Sequence, residues 1–378
     1  SGPVSSGMTL STAVAMNPNH VIRWVSYNMQ QDCVVVATDK GVRVFNCNPL
    51  TEAINLTEEQ VGSIRIANLL HRSNIIALVS GGMRPKYSPN TLMLWDDAKK
   101  KCVAECAVPG GPILNVFLNS TRLVLVQNKR VNIFGLQPLR FLRSEESGLN
   151  SLGVAAMGGE SHSAVLAFPS FKQGTVQLVA LESVNADKSL APSVVSAHLG
   201  EIAALAVTSQ GTLLATGSTK GTVIRIFDTR TRTQLNELRR GADPSTLHCL
   251  AFSPCGSFLA VSSDKSTVHI FPTREKGDGG SVWSNRKNLF DDTRRSVAQF
   301  SLPEDTVAKL AFIADDNEKD SSKGLTTSSS PSQLSVVAIC SNGTFHRFAF
   351  NSQGLCERRA FDYLLQLGSE QDFWTSGV

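Results

Sequence analysis

The hydrophobic pattern of this chain is a series of short apolar runs separated by turn residues, without long stretches of helical periodicity. Paired runs recur at the period of roughly 40–45 residues that is typical of propeller blades. In most units the second run ends in an aromatic or bulky apolar residue. These second runs are residues 42–45, 92–95, 131–134, 176–179, 224–227, 268–271 and 345–348. The pattern predicts short antiparallel strands throughout.

Turn residues separate the paired runs, as in Asp-Lys-Gly at 39–41, Lys-Gly at 220–221 and Asn-Gly at 342–343. Trp-Asp at 95–96 and Phe-Asp at 227–228 echo the dipeptide of WD repeats. Neither a Rossmann glycine pattern nor alternating helical segments are seen, which argues against an α/β fold. The sequence therefore predicts an all-β, seven-bladed β-propeller of WD-repeat type, with about four strands per blade.

The domain organisation follows from where this rhythm begins, breaks and ends. Residues 1–18 are expected to be a flexible N-terminal segment or a cloning remnant, residues 19–363 the propeller, and residues 364–378 a tail. The interval between the last two of these second apolar runs is almost twice the others, because two insertions lie in it. Residues 272–296 are predicted to be a membrane-facing loop, and residues 315–333, rich in Ser, Thr, Lys and Asp, a disordered surface loop.

Composition narrows the functional classes without choosing among them. The net charge of +4 is too weak by itself to indicate nucleic-acid binding. No window approaches the ~20 apolar residues that a membrane span needs. The eight cysteines include one close pair, Cys102 and Cys106, and no cluster of four ligands for zinc, which favours reduced, mostly buried thiols. We expect a soluble, intracellular monomer whose membrane contact, if any, is peripheral.

The most informative motif is Leu-Arg-Arg-Gly at 238–241. It follows Gly-Thr-Val-Ile-Arg-Ile-Phe-Asp at 221–228 and precedes Ser-Ser-Asp-Lys-Ser-Thr-Val-His-Ile-Phe at 262–271. This combination resembles the PROPPIN or WIPI family, over about residues 19–361. Details such as Leu-Leu-His-Arg-Ser-Asn at 69–74 look most similar to the third and fourth human WIPI types.

The resemblance implies an autophagy effector that binds phosphatidylinositol 3-phosphate and phosphatidylinositol 3,5-bisphosphate on phagophore and endosomal membranes. Side chains of adjacent residues in a strand point to opposite sides, so Arg239 and Arg240 can serve two pockets. The first pocket would contain His198, Thr216, Ser218, Lys220, Gly221, Thr222, Arg225 and Arg239. The second pocket would contain Arg240, Ser263, Lys265, Thr267 and His269.

These residue types suit phosphate recognition. Arginine offers a planar fork of donors, hydroxyls donate, glycine allows close backbone approach, and histidine adds a donor whose charge depends on pH. Each residue also has a structural alternative. Thr222, Thr267 and His269 occupy positions where WD repeats often place structural hydrogen bonds, and Gly221 fits a hairpin.

The loop at 272–296 carries Trp283, Leu289 and Phe290 among basic residues. Apolar side chains flanked by positive charge suit insertion into the headgroup region of an anionic leaflet. The resemblance likewise implies a loop in this repeat that enters the bilayer. The alternative is a flexible charged loop that packs Trp283 onto its own propeller.

The resemblance also implies a protein partner, the autophagy lipid-transfer protein, docked on the early blades at about residues 22–134. Asn28 lies at a position that matches the family's contact region. Gln30 replaces an acidic residue of that region.

No catalytic motif competes with the binding interpretation: the sequence contains neither a Gly-x-Ser-x-Gly elbow, nor His-Glu-x-x-His, nor a Walker loop. We therefore expect no enzyme activity, no cofactor and no metal. A peptide-binding WD scaffold and, less favoured, a nucleic-acid-binding protein are the alternatives. Replacing both Arg239 and Arg240 with alanine is predicted to abolish membrane recruitment without unfolding the propeller.

Overall fold

The structure is a computed structural model of the 378-residue chain. It describes residues 21–184, 192–273, 293–314, 334–351 and 354–367. These residues form seven sheets, each built on an antiparallel meander of four strands, and one sheet carries a fifth, parallel strand at its edge. The predicted all-β, seven-bladed propeller is confirmed. Most of the two predicted insertions, including Trp283, Leu289 and Phe290, lies outside the described residues.

Blades 1 to 4 follow the chain in order. Blade 1 contains β1 (Ile22–Tyr27), β2 (Cys33–Thr38), β3 (Gly41–Cys47) and β4 (Leu50–Thr57). Blade 2 contains β5 (Gly62–Leu69), β6 (Ile75–Pro85), β7 (Thr91–Asp96) and β8 (Lys101–Ala107). Blade 3 contains β9 (Asn115–Leu118), β10 (Arg122–Val126), β11 (Arg130–Leu136) and β12 (Leu139–Glu146). Blade 4 contains β13 (Ala156–Gly158), β14 (Val165–Pro169), β15 (Thr175–Ala180) and β16 (Ser193–Ser196).

Blades 5 to 7 complete the ring. Blade 5 contains β17 (Ile202–Val207), β18 (Leu213–Ser218), β19 (Val223–Asp228) and β20 (Gln234–Arg239). Blade 6 contains β21 (Leu247–Phe252), β22 (Phe258–Ser263), β23 (Thr267–Pro272) and β25 (Ala298–Ser301). Blade 7 contains β26 (Ala308–Ala314), β27 (Leu334–Cys340), β28 (Thr344–Phe350) and β29 (Cys356–Tyr363).

Helical structure in the described ranges is limited to short segments, as the absence of helical periodicity predicts. There is one four-residue helix, α1 (Glu58–Val61). Three 3₁₀ turns cover Ser161–Ser163, Leu181–Ser183 and Leu364–Gln366. The hydrophobic core lies between the faces of neighbouring blades, and the helical segments add single buried side chains to it, such as Leu181 and Leu364.

The first strands of the blades carry the contacts from blade to blade. These contacts join β1 to β5, β5 to β9, β13 to β17, β17 to β21, β21 to β26 and β26 to β1. Because the strands of a blade alternate in direction, the turn between its second and third strands lies at the same end as the connection to the next blade. We call this end the connection end, and the other the opposite end.

The end of the first predicted insertion is built into a sheet, which the sequence did not predict. Thr293 and Arg294 form β24 (Thr293–Arg294), which pairs in parallel with Glu237 and Leu238 of β20. The outer strand of a blade exposes unpaired backbone groups that another segment can pair with. The returning chain covers part of that edge on blade 5 before it enters blade 6 at β25.

Candidate lipid-headgroup site

The two adjacent arginines lie at the connection end of blade 5, and their side chains belong to opposite faces of that sheet. Leu238 packs with Leu247 and Phe271 of blade 6, and Arg240 follows it by two positions. Arg239 shares the other face with Glu237, the register partner of Arg225. Arg239 is exposed and Arg240 is 8% exposed. The structure therefore agrees with the prediction that the pair points two ways.

The face that carries Arg239 is turned toward blade 4. On this face Leu214 packs with Val176 and Val195 of blade 4. Thr216 follows Leu214 by two positions and is fully buried. The predicted residues Thr216 and Ser218 thus face the connection between blades 4 and 5, where His198 lies.

His198, Thr216 and Arg225 are in mutual contact on this face. His198 Nε2 lies 3.0 Å from Thr216 Oγ1 and 3.2 Å from the Thr216 carbonyl oxygen, so Nε2 carries the proton and donates. Arg225 Nη1 donates to the Ala197 carbonyl at 2.6 Å, and Arg225 Nε donates to Glu237 Oε2 at 2.8 Å. The first pocket is therefore polar and already hydrogen-bonded within the protein.

The turn between β18 and β19 supplies the other predicted residues of the first pocket. Ser218 is 8% exposed and Thr222 is 7% exposed, whereas Lys220 is exposed. Gly221 has a φ of +65°, and a Cβ atom there would lie 1.8 Å from the Ser245 carbonyl oxygen. The glycine is thus required for contact between the backbones of blades 5 and 6, which supports the hairpin alternative for this residue.

Arg240 ties two loops together. Its Nε donates to the Gly221 carbonyl at 2.7 Å and its Nη2 donates to the Asp243 carbonyl. Burial lowers the pKa of Arg240, and Asp264 and Asp243 oppose that effect. Arg240 therefore has a structural role, because it donates to two backbone carbonyls, and it also contributes a positive charge to the candidate site.

The second predicted pocket lies where Arg240 meets blade 6. His269 stacks on Phe271, with ring centroids 6.0 Å apart, on the face turned toward blade 5. Ser263 is 4% exposed, and the turn after it exposes Lys265 and leaves Thr267 half-buried. Arg240 is close enough to His269 to lower the pKa of that imidazole further, although burial is the larger cause. Arg240 and His269 each lie two positions from a member of one buried cluster, Leu238 and Phe271, at the junction of blades 5 and 6.

Both candidate histidines have a lowered pKa. Burial lowers the pKa of His198 first of all, and the positive charge of Arg225 acts in the same direction. The Thr216 hydrogen bond and Glu237 oppose this effect. Both imidazoles are thus neutral donors near pH 7, and a bound phosphate would raise their pKa because it stabilises the protonated form.

Three residues at these pockets were missed by the sequence analysis. Glu237 pairs with Arg225 in the first pocket, and the negative charge of Asp264 acts on the pKa of Arg240 in the second. Ser296 Oγ lies 3.4 Å from His269 Nδ1, at the root of the blade-6 insertion. A period-two reading of β20 could have found Glu237, whereas the contact of Ser296 depends on the path of the returning loop.

Asn28, the residue predicted to contact a protein partner, is 3% exposed. Its amide donates to Asp32 Oδ1 at 2.6 Å, and its Oδ1 accepts the N–H of Cys33 at 3.0 Å. Asn28 therefore holds the turn between β1 and β2. Its neighbour Gln30 is exposed and lies 3.0 Å from His71 Nδ1 of blade 2.

Within the described residues no helix is long and apolar enough to cross a membrane. No group of three or more His, Cys, Asp or Glu side chains in the same ranges is arranged to hold a metal ion.

The fold and the site together place this protein among seven-bladed propellers that carry two adjacent arginines at the end of one blade. The model of the PROPPIN family matches residues 23–299. Ectopic P granules protein 6 of Caenorhabditis elegans is 32% identical over 93% of this chain and 90% of its own length. The chain therefore belongs to the PROPPIN family, whose members are non-enzymatic β-propellers that bind phosphoinositides.

Other relatives agree with this assignment. SVP1-like protein 2 of Pichia angusta is 36% identical over 70% of this chain and 73% of its own length. Autophagy-related protein 18 of Komagataella pastoris is 31% identical over 74% of this chain and 57% of its own length. The fold is also that of solved structures: Kluyveromyces lactis Hsv2 superposes with a TM-score of 0.72 at 22% identity, covering 91% of this chain and 99% of its own. A complex of KlAtg21 with the coiled coil of AgAtg16 superposes with a TM-score of 0.69 at 18% identity, covering 91% of this chain and 99% of the matched chain.

Proposed function

We propose that this propeller binds phosphatidylinositol 3-phosphate and phosphatidylinositol 3,5-bisphosphate in autophagic and endosomal membranes, with one headgroup in each of the two pockets. The observation that carries the proposal is the placement of Arg239 and Arg240 on opposite faces of blade 5. Each arginine lies on the face that also carries, or is turned toward, a histidine and buried hydroxyl groups.

In the first pocket a phosphate would exchange partners with groups already in place. Arg225 now donates to the Glu237 carboxylate at 2.8 Å, and a phosphate offers the same kind of charged acceptor. Arg239 and Lys220 are exposed beside it and add positive charge. In the second pocket, Lys265 is exposed next to Ser263 and Thr267 in the same way.

Two pockets on one edge would favour membranes over soluble headgroups. The second headgroup binds intramolecularly once the first is held, and such avidity can exceed either affinity by ~10²–10⁴. Recruitment would therefore depend steeply on the density of the lipid.

The test is liposome flotation across the phosphoinositide series, with the Arg239→Ala/Arg240→Ala variant beside the wild type. We expect flotation with 3-phosphorylated lipids and its loss in the double variant. Arg358→Ala/Arg359→Ala is a matched control, because it removes an adjacent pair of arginines from the exposed strand β29 of blade 7.

The structure calls for one more variant. Arg240 is 8% exposed and bridges two loops, so its truncation lowers stability by roughly 1–3 kcal/mol through unpaired groups. Arg239→Ala/Lys265→Ala removes only exposed side chains, one from each pocket. Selective flotation that survives in this variant and in a folded Arg239→Ala/Arg240→Ala variant would overturn the headgroup assignment and favour a peptide-binding scaffold.

We further propose that the bound propeller recruits the autophagy lipid-transfer protein through blades 1 to 3. The turns of blades 1 and 2 carry the exposed side chain of Gln30 beside His71. Since Asn28 is buried, its part in that surface would be to hold Gln30 in place. In a pull-down with the partner, Gln30→Ala should weaken capture while liposome flotation stays unchanged.

A further inference from the structure

Four large apolar side chains are exposed in turns and connections at the connection end of blades 3 to 5. We call them the apolar rim: Leu149 (73% exposed), Leu152 (80%), Phe171 (69%) and Leu199 (99%). Single exposed leucines are ordinary on protein surfaces, whereas neighbouring ones mark interaction sites.

The turns that carry the rim touch one another in sequence around the propeller. A Cβ atom on Gly148 would lie 2.5 Å from the Ser170 carbonyl oxygen and 3.5 Å from the Cα of Phe171. A Cβ atom on Gly174 would lie 1.7 Å from the carbonyl oxygen of His198. Leu149, Phe171 and Leu199 therefore follow each other along one edge.

The same edge continues into the first headgroup pocket. Leu199 directly follows His198, and the N–H of Thr219 donates to the Glu201 carbonyl at 2.9 Å. This bond fixes the connection after Leu199 against the β18–β19 turn, which exposes Lys220. The apolar rim and the proposed phosphate ligands are thus neighbours on one surface.

Lysines alternate with the apolar side chains along this edge. Lys129 lies in the β10–β11 turn and Lys172 in the β14–β15 turn, and both are exposed, like Lys220. The N–H of Ser147 donates to the carbonyl of Lys129 at 3.0 Å, which ties that turn to the connection bearing Leu149. Exposed apolar groups among lysines match the boundary between anionic headgroups and acyl chains.

We propose that the apolar rim inserts into the interfacial layer of an anionic membrane, as a contact separate from the blade-6 loop. The inference rests on the proposed function, because the headgroup pockets decide which edge meets the bilayer. Phe171 and Leu199 enter the layer beside the bound headgroup, while Lys172 and Lys220 stay at the phosphate level. The rim adds affinity for the bilayer without adding affinity for a soluble headgroup.

Vesicle co-sedimentation of the full chain tests the inference, with vesicles that contain phosphatidylinositol 3-phosphate and phosphatidylserine. The Phe171→Ser/Leu199→Ser variant should bind vesicles about tenfold more weakly, or about 1.4 kcal/mol. Calorimetric binding of soluble inositol 1,3-bisphosphate should not change. Leu355→Ser is the matched control, since Leu355 is 66% exposed at the opposite end of blade 7.

A second readout tests insertion directly. In a Trp283→Phe background, which removes the tryptophan of the blade-6 loop, Leu199→Trp should be quenched by lipids brominated in the acyl chains, and Leu355→Trp should not. Unchanged vesicle affinity of the serine variant together with an unquenched Leu199→Trp would overturn the rim while leaving the headgroup proposal intact. Wild-type protein that binds neither vesicles nor the soluble headgroup would overturn both.

Discussion

At the residue scale, the Glu237 carboxylate and an incoming phosphate would compete for Arg225 in the first pocket. The guanidinium donates to the Ala197 carbonyl and to the Glu237 carboxylate, so it is already paired before any ligand arrives. The carboxylate orients the arginine and also repels a phosphate. We therefore expect Glu237 to lower the affinity of the pocket for phosphate. A substitution that keeps the hydrogen-bond acceptor but removes the charge separates the orientation of Arg225 from the repulsion of the phosphate.

Glu237→Gln should tighten binding to vesicles that contain phosphatidylinositol 3-phosphate by about two- to fivefold. The amide oxygen still accepts from Arg225, while the negative charge is gone. An ion pair whose side chains are 31% and 26% exposed contributes up to ~1 kcal/mol. Vesicle co-sedimentation at low ionic strength measures the change. Glu357→Gln, which alters the Glu357–Arg359 pair at 3.1 Å on blade 7, is the control and should have no effect. Weaker binding by Glu237→Gln would show that the carboxylate orients Arg225 more than it competes.

At the element scale, the four residues of the β18–β19 turn, 219–222, combine packing and binding roles. Gly221 packs against the backbone of Ser245 and offers its carbonyl to Arg240. The motif glycine itself, Gly241, has open space around the position of a Cβ atom. The two glycines therefore have different structural importance, although the motif draws attention to Gly241.

We expect Gly221→Ala to destabilise the propeller and Gly241→Ala to leave its stability almost unchanged. The left-handed φ at Gly221 alone costs an alanine about 1–2 kcal/mol, and the contact with the Ser245 carbonyl adds to that. Chemical denaturation followed by tryptophan fluorescence would measure both variants. Equal stabilities would mean that the blade 5–6 junction relaxes around the added methyl group.

At the scale of the whole molecule, the ring formed by the described residues closes without a strand shared between the first and last blades. Blades 1 and 7 are each built from consecutive strands, so side-chain packing joins them. Val34 and Phe45 of blade 1 share a cluster with Val337 and with Leu364, which is fully buried. Arg43 Nη1 reinforces the closure by donating to the Leu365 carbonyl at 2.9 Å. The first residues of the predicted tail thus belong to the closure.

Leu364→Ala should therefore destabilise the propeller by about 2–5 kcal/mol, the usual cost of emptying a buried leucine site. Leu355→Ala, at a position that is 66% exposed nine residues earlier in the chain, should change the unfolding temperature very little. Differential scanning calorimetry compares the two. A normal melting temperature for Leu364→Ala would place the closure in the other contacts between blades 1 and 7.

Local patterns predicted the repeating elements, because each blade is a meander whose strands and turns are neighbours in sequence. The apolar runs at 42–45 and 268–271 lie in β3 and β23, and the Lys-Gly turn at 220–221 joins β18 to β19. The pattern of period two likewise predicted the opposite directions of Arg239 and Arg240. These features depend on spacing alone.

The sequence by itself determined the seven blades, the family and the residue types that gather at the end of blade 5. Only the tertiary structure decided that β24 pairs with β20, that Leu364 closes the ring, and that Phe171 and Leu199 line the same edge as the headgroup pockets. The reason is physical: a meander is specified by neighbouring residues, whereas each of these contacts joins segments of different blades. Such contacts depend on how the blades pack, and a local sequence pattern does not specify the packing of segments that are far apart in the chain.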